Sequence, residues 1–310
     1  MDKLKEFIKK YPGLCAILGI AVLFTIGFSI YMNNYNSKKE ISQDIYESIS
    51  NNILTTPEVS ENQVPDVAED EPEVVITPEP LSPELEAFLA GCGDARDLYE
   101  PLLVEVNMDF DELHDINGDI IAYLIVPDSL INYPILYKED EPDYYLNKNI
   151  DGSTGFPGCI YIQNYNNPDF NDALTILYGH NMLNDTMFGM LPEYNKPEWR
   201  CERPYFIVYT ESGIFVYEVE VCSTYSDEHL LVDDFHKDEE SGEWIFDGLS
   251  SQDAISARKH IKSRGSGSAY FADTQWTEED KVVAMSTCGN KGERYIVAGR
   301  QVFVWDYNRR

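Results

Sequence analysis

At 310 residues the chain is long enough for one large domain or two small ones. Its 23 Lys and Arg against 55 Asp and Glu give a formal net charge of −32, which excludes a nucleic-acid partner, because phosphate binding needs clustered cations. Six cysteines at this length make no disulfide scaffold, and without a C-x-x-C pair or an H-E-x-x-H helix neither zinc nor any other metal or cofactor is expected. Spacing leaves open whether Cys92, Cys159, Cys201 and Cys222 pair.

The N-terminus opens with Lys3, Lys5, Lys9 and Lys10, followed by an apolar run from Pro12 to Met32. That run is roughly the 20 residues needed to cross a bilayer as a helix. Asn33, Asn34 and Tyr35 follow it, not a small-residue cleavage site, so the pattern predicts an uncleaved signal anchor. The basic flank puts the N-terminus in the cytoplasm and the remainder outside, a single-pass protein of the cell membrane. Ile41, Ile45, Ile49 and Ile53 recur at every fourth position and predict a short amphipathic helix. Thr56–Pro83, with Pro57, Pro65, Pro72, Pro78, Pro80 and Pro83 among acidic residues, reads as an extended stalk that cannot bury enough surface to fold. Residues 1–38 are thus expected to be the basic tip and anchor, 39–83 the stalk, and 84–310 the folded domain.

Ser82 and Pro83 look like the cap and first position of a helix whose apolar face is Leu85, Phe88 and Leu89, ended by Gly91 and Gly93. A second short helix is expected over Ala95–Val104. Strands follow at Ile120–Val126, Ile131–Leu136, Cys159–Gln163, Ala173–Tyr178, Tyr205–Tyr209 and Gly213–Cys222, the last two joined by a hairpin turn. Two more come at Val282–Met285 and Tyr295–Val304. Eight strands with mostly short connections predict a mainly β fold, a closed β-barrel. One clear helix, Ser251–Arg264, interrupts them, with Ala254, Ile255, Ala257 and Ile261 expected to face the barrel.

Two stretches carry the chemistry. In Lys281–Val304, Ser286, Thr287 and Cys288 end one strand and Arg294 opens the next. A thiol at a strand end with a fixed cation nearby suits a nucleophile and an oxyanion partner, although most free cysteines are buried and inert. In Thr175–Met182, His180 follows an apolar strand, where barrel rims place functional loops; His114, His229, His236 and His260 lie among charged residues or on polar helix faces. An imidazole could stabilise the thiolate and later protonate a leaving amine. Arg300 competes with Arg294 but stands farther from Cys288 and reads as a strand-face residue.

Taken together, Asn117–Val126 (NGDIIAYLIV), Tyr133–Leu136, Asp143–Leu146 (DYYL), Asn167–Phe170 (NPDF), Thr175–Met182 (TILYGHNM), Met187–Leu191 (MFGML) and Ser286–Cys288 followed by Arg294 resemble the class B sortases, membrane-anchored cysteine transpeptidases of Gram-positive bacteria. The resemblance implies His180, Cys288 and Arg294 as the catalytic three. It implies an eight-stranded sortase-type barrel with N-terminal helices and one helix in the long connection before the Cys strand, the place Ser251–Arg264 fills. It further implies cleavage of a C-terminal sorting motif after Thr, a Cys thioester, and transfer of the secreted protein to an amine of a peptidoglycan precursor or a pilin. Ser286 and Thr287 are candidates to line the peptide groove; as plain strand-end hydrogen-bonders they would look the same. Ala122 and Tyr123 stand where the family more often has Gly-Trp, Gly289 follows the Cys where some members carry Asp, and Asp233–Asp247 is an acidic insertion with Trp244 and Phe246.

Two other classes compete. In a papain-like hydrolase the Cys precedes the His, opposite to this chain. An L,D-transpeptidase-like wall enzyme wants a His and Gly directly before the Cys, where Ser286 and Thr287 stand. A non-catalytic, membrane-tethered binding module would leave Cys288 as core.

Overall fold

Strands buried on both faces read as unbroken apolar runs, and the central strands here do so. The computed structural model describes residues 10–54, 81–226, 230, 235–242, 244–246, 254–288 and 292–307. Its strands are β1 (Ile120–Ile125), β2 (Asn132–Tyr137), β3 (Ile160–Ile162), β4 (Leu174–Tyr178), β5 (Tyr205–Thr210), β6 (Gly213–Ser226), β7 (Phe235–Lys237), β8 (Trp244–Phe246), β9 (Ser266–Phe271), β10 (Val282–Cys288) and β11 (Glu293–Asp306).

Eight of them lie in the order β11-β10-β4-β3-β2-β1-β5-β6, and β6 pairs back onto β11, closing the barrel. Closure removes both sheet edges. The closing seam is the longest ladder, Gly213 opposite Asp306 through Ser226 opposite Glu293, with bulges at Ala298/Gly299 and Gln301/Phe303. β2 with β3 and β4 with β10 run parallel. Leu124, Ile135, Ile160, Ile176, Phe206, Val216, Ala284 and Ile296 are fully buried and form the core.

All eight expected strands are present, so the mainly β, eight-stranded barrel holds. Three strands were not expected. β9 has the letters SGSAYF, to which the sequence assigns no element, and it pairs with Val221–Thr224 of β6, beyond the reach of β5. β7 and β8 form a hairpin within the acidic insertion. Two short helices, Phe110–Ile116 and Pro197–Glu202, were also not expected; Asp109 caps the first by accepting from the Glu112 amide at 3.0 Å. The helix Pro83–Gly91 starts as read, with Ser82 Oγ accepting from the Leu85 amide at 3.2 Å and Leu85 and Leu89 buried. In the helix Ala254–Arg264, Ala254 and Ile261 are buried, but Ile255 is 45% exposed and does not face the barrel.

The N-terminal expectation needs correction. The apolar run does lie in a helix, Pro12–Leu54, of 43 residues. Among the described residues, however, no helix is long and apolar enough to cross a membrane, so the single-pass anchor and the membrane placement built on it are not supported. The apolar letters stop at Met32, and Asn33, Asn34, Asn36 and Lys38–Glu40 continue the helix in polar residues. The chain divides into two compact units, Met1–Ile45 and Tyr46–Arg310. The expected stalk falls mostly on residues 55–80, outside the described residues.

Candidate active site

The parallel pair β4 and β10 sets the site. Tyr178 stands opposite Ser286, and the pairing continues past the strand end. The Gly179 amide donates to the Ser286 carbonyl at 3.3 Å, and Thr287 Oγ1 donates to the Gly179 carbonyl at 2.8 Å. Because both strands run the same way at the same rise, two further residues on each bring the backbones of His180 and Cys288 level. The antiparallel β11 then places Arg294 opposite Cys288, and β6 places Tyr225 opposite Arg294. His180, just past the end of β4, thus comes to the same rim as Cys288 and Arg294, more than a hundred residues later in the chain; the Cys288 thiol itself lies outside the described atoms. Gly179 is required by close packing: a Cβ there would stand 2.4 Å from Ile160 Cδ1 and 2.7 Å from Phe188 Cδ2.

His180 is half-buried, with Nε2 2.7 Å from the Leu146 carbonyl oxygen. A carbonyl only accepts, so in the neutral ring Nε2 carries the proton and Nδ1 is left with its lone pair. The Phe156 ring lies against the imidazole, centroids 4.7 Å apart. The Phe188 amide donates to the His180 carbonyl at 3.0 Å, so the main chain is held as well as the ring. Leu146 closes the short turn Tyr144–Leu146, within the DYYL stretch.

Arg294 is half-buried and makes no hydrogen bond or ion pair among the described residues. Its charge reaches two phenols, Tyr178 on β4 and Tyr161 on β3. Burial pushes Tyr178 and Tyr161 well above the usual tyrosine range, and the Arg294 guanidinium draws both part of the way back. The two rings stack at 5.7 Å. Tyr161 Oη and Gln163 Nε2 both donate to Asp143 Oδ1, at 3.2 and 2.8 Å, at the start of the turn that holds His180. Arg300 is occupied elsewhere: its Nε donates to the fully buried Glu220 at 2.8 Å, with Glu218 and Asp280 nearby.

Ser286 and Thr287 are both buried. Ser286 Oγ has no partner among the described residues, while the Thr287 hydroxyl is spent on the loop that carries His180. Cys92, Cys159, Cys201 and Cys222 are free. Burial pushes Cys92 up to about 11 and Cys159 and Cys222 up to about 12, so these three are thiols near neutral pH, not nucleophiles. Among the described residues no cluster of three or more His, Cys, Asp or Glu could hold a metal ion. Sequence reading did not find Leu146 and Phe156 as supports of the imidazole. DYYL was noted as a stretch, but a backbone carbonyl has no letter of its own.

No protein-family model matches the sequence. The chain is 27% identical over 202 residues to Sortase B of Listeria monocytogenes, covering 64% of this chain and 76% of that protein. It is 25% identical over 186 residues to Sortase B of Staphylococcus aureus, covering 59% and 68%. The crystal structure of Staphylococcus aureus Sortase B shares the fold with a TM-score of 0.52 at 20% identity, over 71% of this chain and 97% of that one. Clostridium perfringens Sortase B does so with a TM-score of 0.51 at 22% identity, over 63% and 100%. Sequence likeness and barrel together support a class B sortase, a cysteine transpeptidase.

Proposed function

We propose that Cys288, His180 and Arg294 carry the transpeptidation, and that the substrate is a secreted protein bearing a C-terminal sorting motif cut after Thr. The Cys288 thiolate attacks the Thr carbonyl carbon, and the carbonyl oxygen takes the negative charge. The Arg294 fork receives that oxyanion; its lack of a partner among the described residues supports this role. As the tetrahedral intermediate collapses, the C–N bond breaks and the imidazolium of His180 gives its proton from Nδ1 to the departing amine. An amine of a peptidoglycan precursor or a pilin then loses a proton to Nδ1, attacks the thioester, and releases the thiolate. The Leu146 carbonyl keeps Nε2 protonated throughout, so a single ring nitrogen serves both steps.

The observation that supports this reading is the strand register: Arg294 pairs opposite Cys288, and Tyr178, two residues before His180, pairs opposite Ser286, two residues before Cys288. Other solved Sortase B structures include a Staphylococcus aureus substrate complex and a complex with triglycine. We extend the same pairing of sorting peptide and amine to this chain. Ser286 and Thr287 are assigned to the site as supports of the groove floor. The test is a peptide-library cleavage assay on the full chain with candidate amines present, read by mass spectrometry. Wild type should form an amine-linked product with Thr at the junction, and Cys288→Ala should form none; cleavage by that variant would remove the thioester from the mechanism.

A further inference from the structure

We propose that Tyr46, at the start of the second compact unit, is a positioning residue for His180, acting through the 156–159 loop and the Tyr144–Leu146 turn. This rests on the reading of His180 as the acid–base group.

Tyr46 is 6% exposed and its ring meets Tyr133 edge-on at 5.1 Å. Its hydroxyl donates to the Gly158 carbonyl at 3.1 Å and lies 3.5 Å from Cys159 Sγ. Burial holds the phenol in its neutral, proton-donating form. Gly158 and Cys159 in turn clamp the turn above them. The Gly158 amide donates to Asn149 Oδ1 at 3.0 Å, the Cys159 amide to the Tyr145 carbonyl at 3.1 Å, and Cys159 Sγ to the Lys148 carbonyl at 3.2 Å.

The fit is too close for slack. Gly158 has φ +69°, and a Cβ on it would stand 2.7 Å from the Leu146 carbonyl oxygen. That oxygen is the acceptor of His180 Nε2. The same loop carries Phe156, whose ring rests on the imidazole. One buried phenol therefore supports both contacts that orient the catalytic ring. A catalytic piece that began at Ser82 would lack it.

The experiment compares full-chain Tyr46→Phe with wild type and with Ser50→Ala. Ser50 lies on the same helix, but its hydroxyl accepts from Asn132 Nδ2 at 2.7 Å, away from the loop. Tyr46→Phe keeps the ring packing and removes only the donor. Its kcat for peptide cleavage should fall about tenfold, the low end for a group that orients an active-site ligand, with KM and the unfolding midpoint close to wild type. In 15N imidazole spectra of His180, wild type should show the Nε2–H tautomer and Tyr46→Phe a mixture. Ser50→Ala should match wild type in both readouts. A wild-type kcat and tautomer in Tyr46→Phe, or an equal loss in Ser50→Ala, overturns the proposal. Absence of Cys288-dependent cleavage in wild type would instead sink the catalytic reading, and the tautomer comparison would still decide the role of Tyr46.

Discussion

The strand β11 carries two arginines with opposite fates. Near its start Arg294 faces Cys288 and, among the described residues, has neither hydrogen bond nor ion pair. Farther along, Arg300 faces Val282 and is bound to the buried Glu220, which also accepts from Thr274 Oγ1 and Trp276 Nε1. A buried charge is tolerated only when paired and hydrogen-bonded, so the second guanidinium serves folding. The first is left at the rim, where a developing anion can use it. One residue type on one strand is thus paired for stability at one position and proposed for chemistry at the other, according to what the neighbouring strands bring.

The largest test of that contrast is at the rim. His180→Ala should lose roughly 10³-fold or more in kcat, since groups acting as one unit fail together, and it should keep its unfolding midpoint. Arg294→Lys keeps the charge and loses the fork; a fall of about 10²–10³-fold in kcat is expected, as for loss of an oxyanion donor, with stability unchanged. Turnover at the wild-type rate would take Arg294 out of the oxyanion role. Arg300→Ala should do the reverse. It leaves Glu220 buried without its cation and should cost roughly 3 kcal/mol in denaturant unfolding, while kcat of the folded fraction holds. A drop in kcat without loss of stability there would erase the division between the two ends.

A smaller effect concerns Asp119, which steadies the turn beside His180. Burial pushes its carboxyl up, but donors on Lys138 and Tyr145 outweigh that and hold it below the usual carboxylate range. A group depressed on folding contributes stability above its unfolded value and loses it as pH falls through the folded one, here below about pH 4. Asp119→Asn should therefore flatten the acid limb of the stability profile, measured as unfolding midpoints at stepped pH. The smallest expected effect is at Ser286, whose buried hydroxyl lacks a partner among the described residues. Ser286→Ala should leave stability unchanged or raise it by about 1 kcal/mol, and a rise in KM for the peptide would show that the hydroxyl meets substrate.

Much of the barrel was legible because strands buried on both faces are built almost wholly of aliphatic and aromatic residues, as in Leu174–Tyr178 and Tyr205–Thr210. β9 was not: Ser266–Phe271 owes its strand to the length of β6, which outruns β5 and leaves ladder groups to be satisfied. Ile255 misled for a related reason, since helical spacing gives a face but not the angle at which the helix docks. His180, Cys288 and Arg294 are proposed because their residue types, strand-end positions and order match a known pattern. Their support by Leu146, Phe156 and Tyr46 could not be named. It depends on a backbone oxygen, a ring contact and a bond from Tyr46 to Gly158, across 112 positions of the chain.

By itself, then, the order of residues determined the strand content, the caps and the chemical inventory of the rim, because propensity and side-chain chemistry are local properties. Only the folded barrel decided which guanidinium is without a partner among the described residues, which imidazole nitrogen holds the proton, and which distant phenol braces the loop beneath it. Those outcomes are set by register and close packing between segments whose separation along the chain carries no trace of their separation in space.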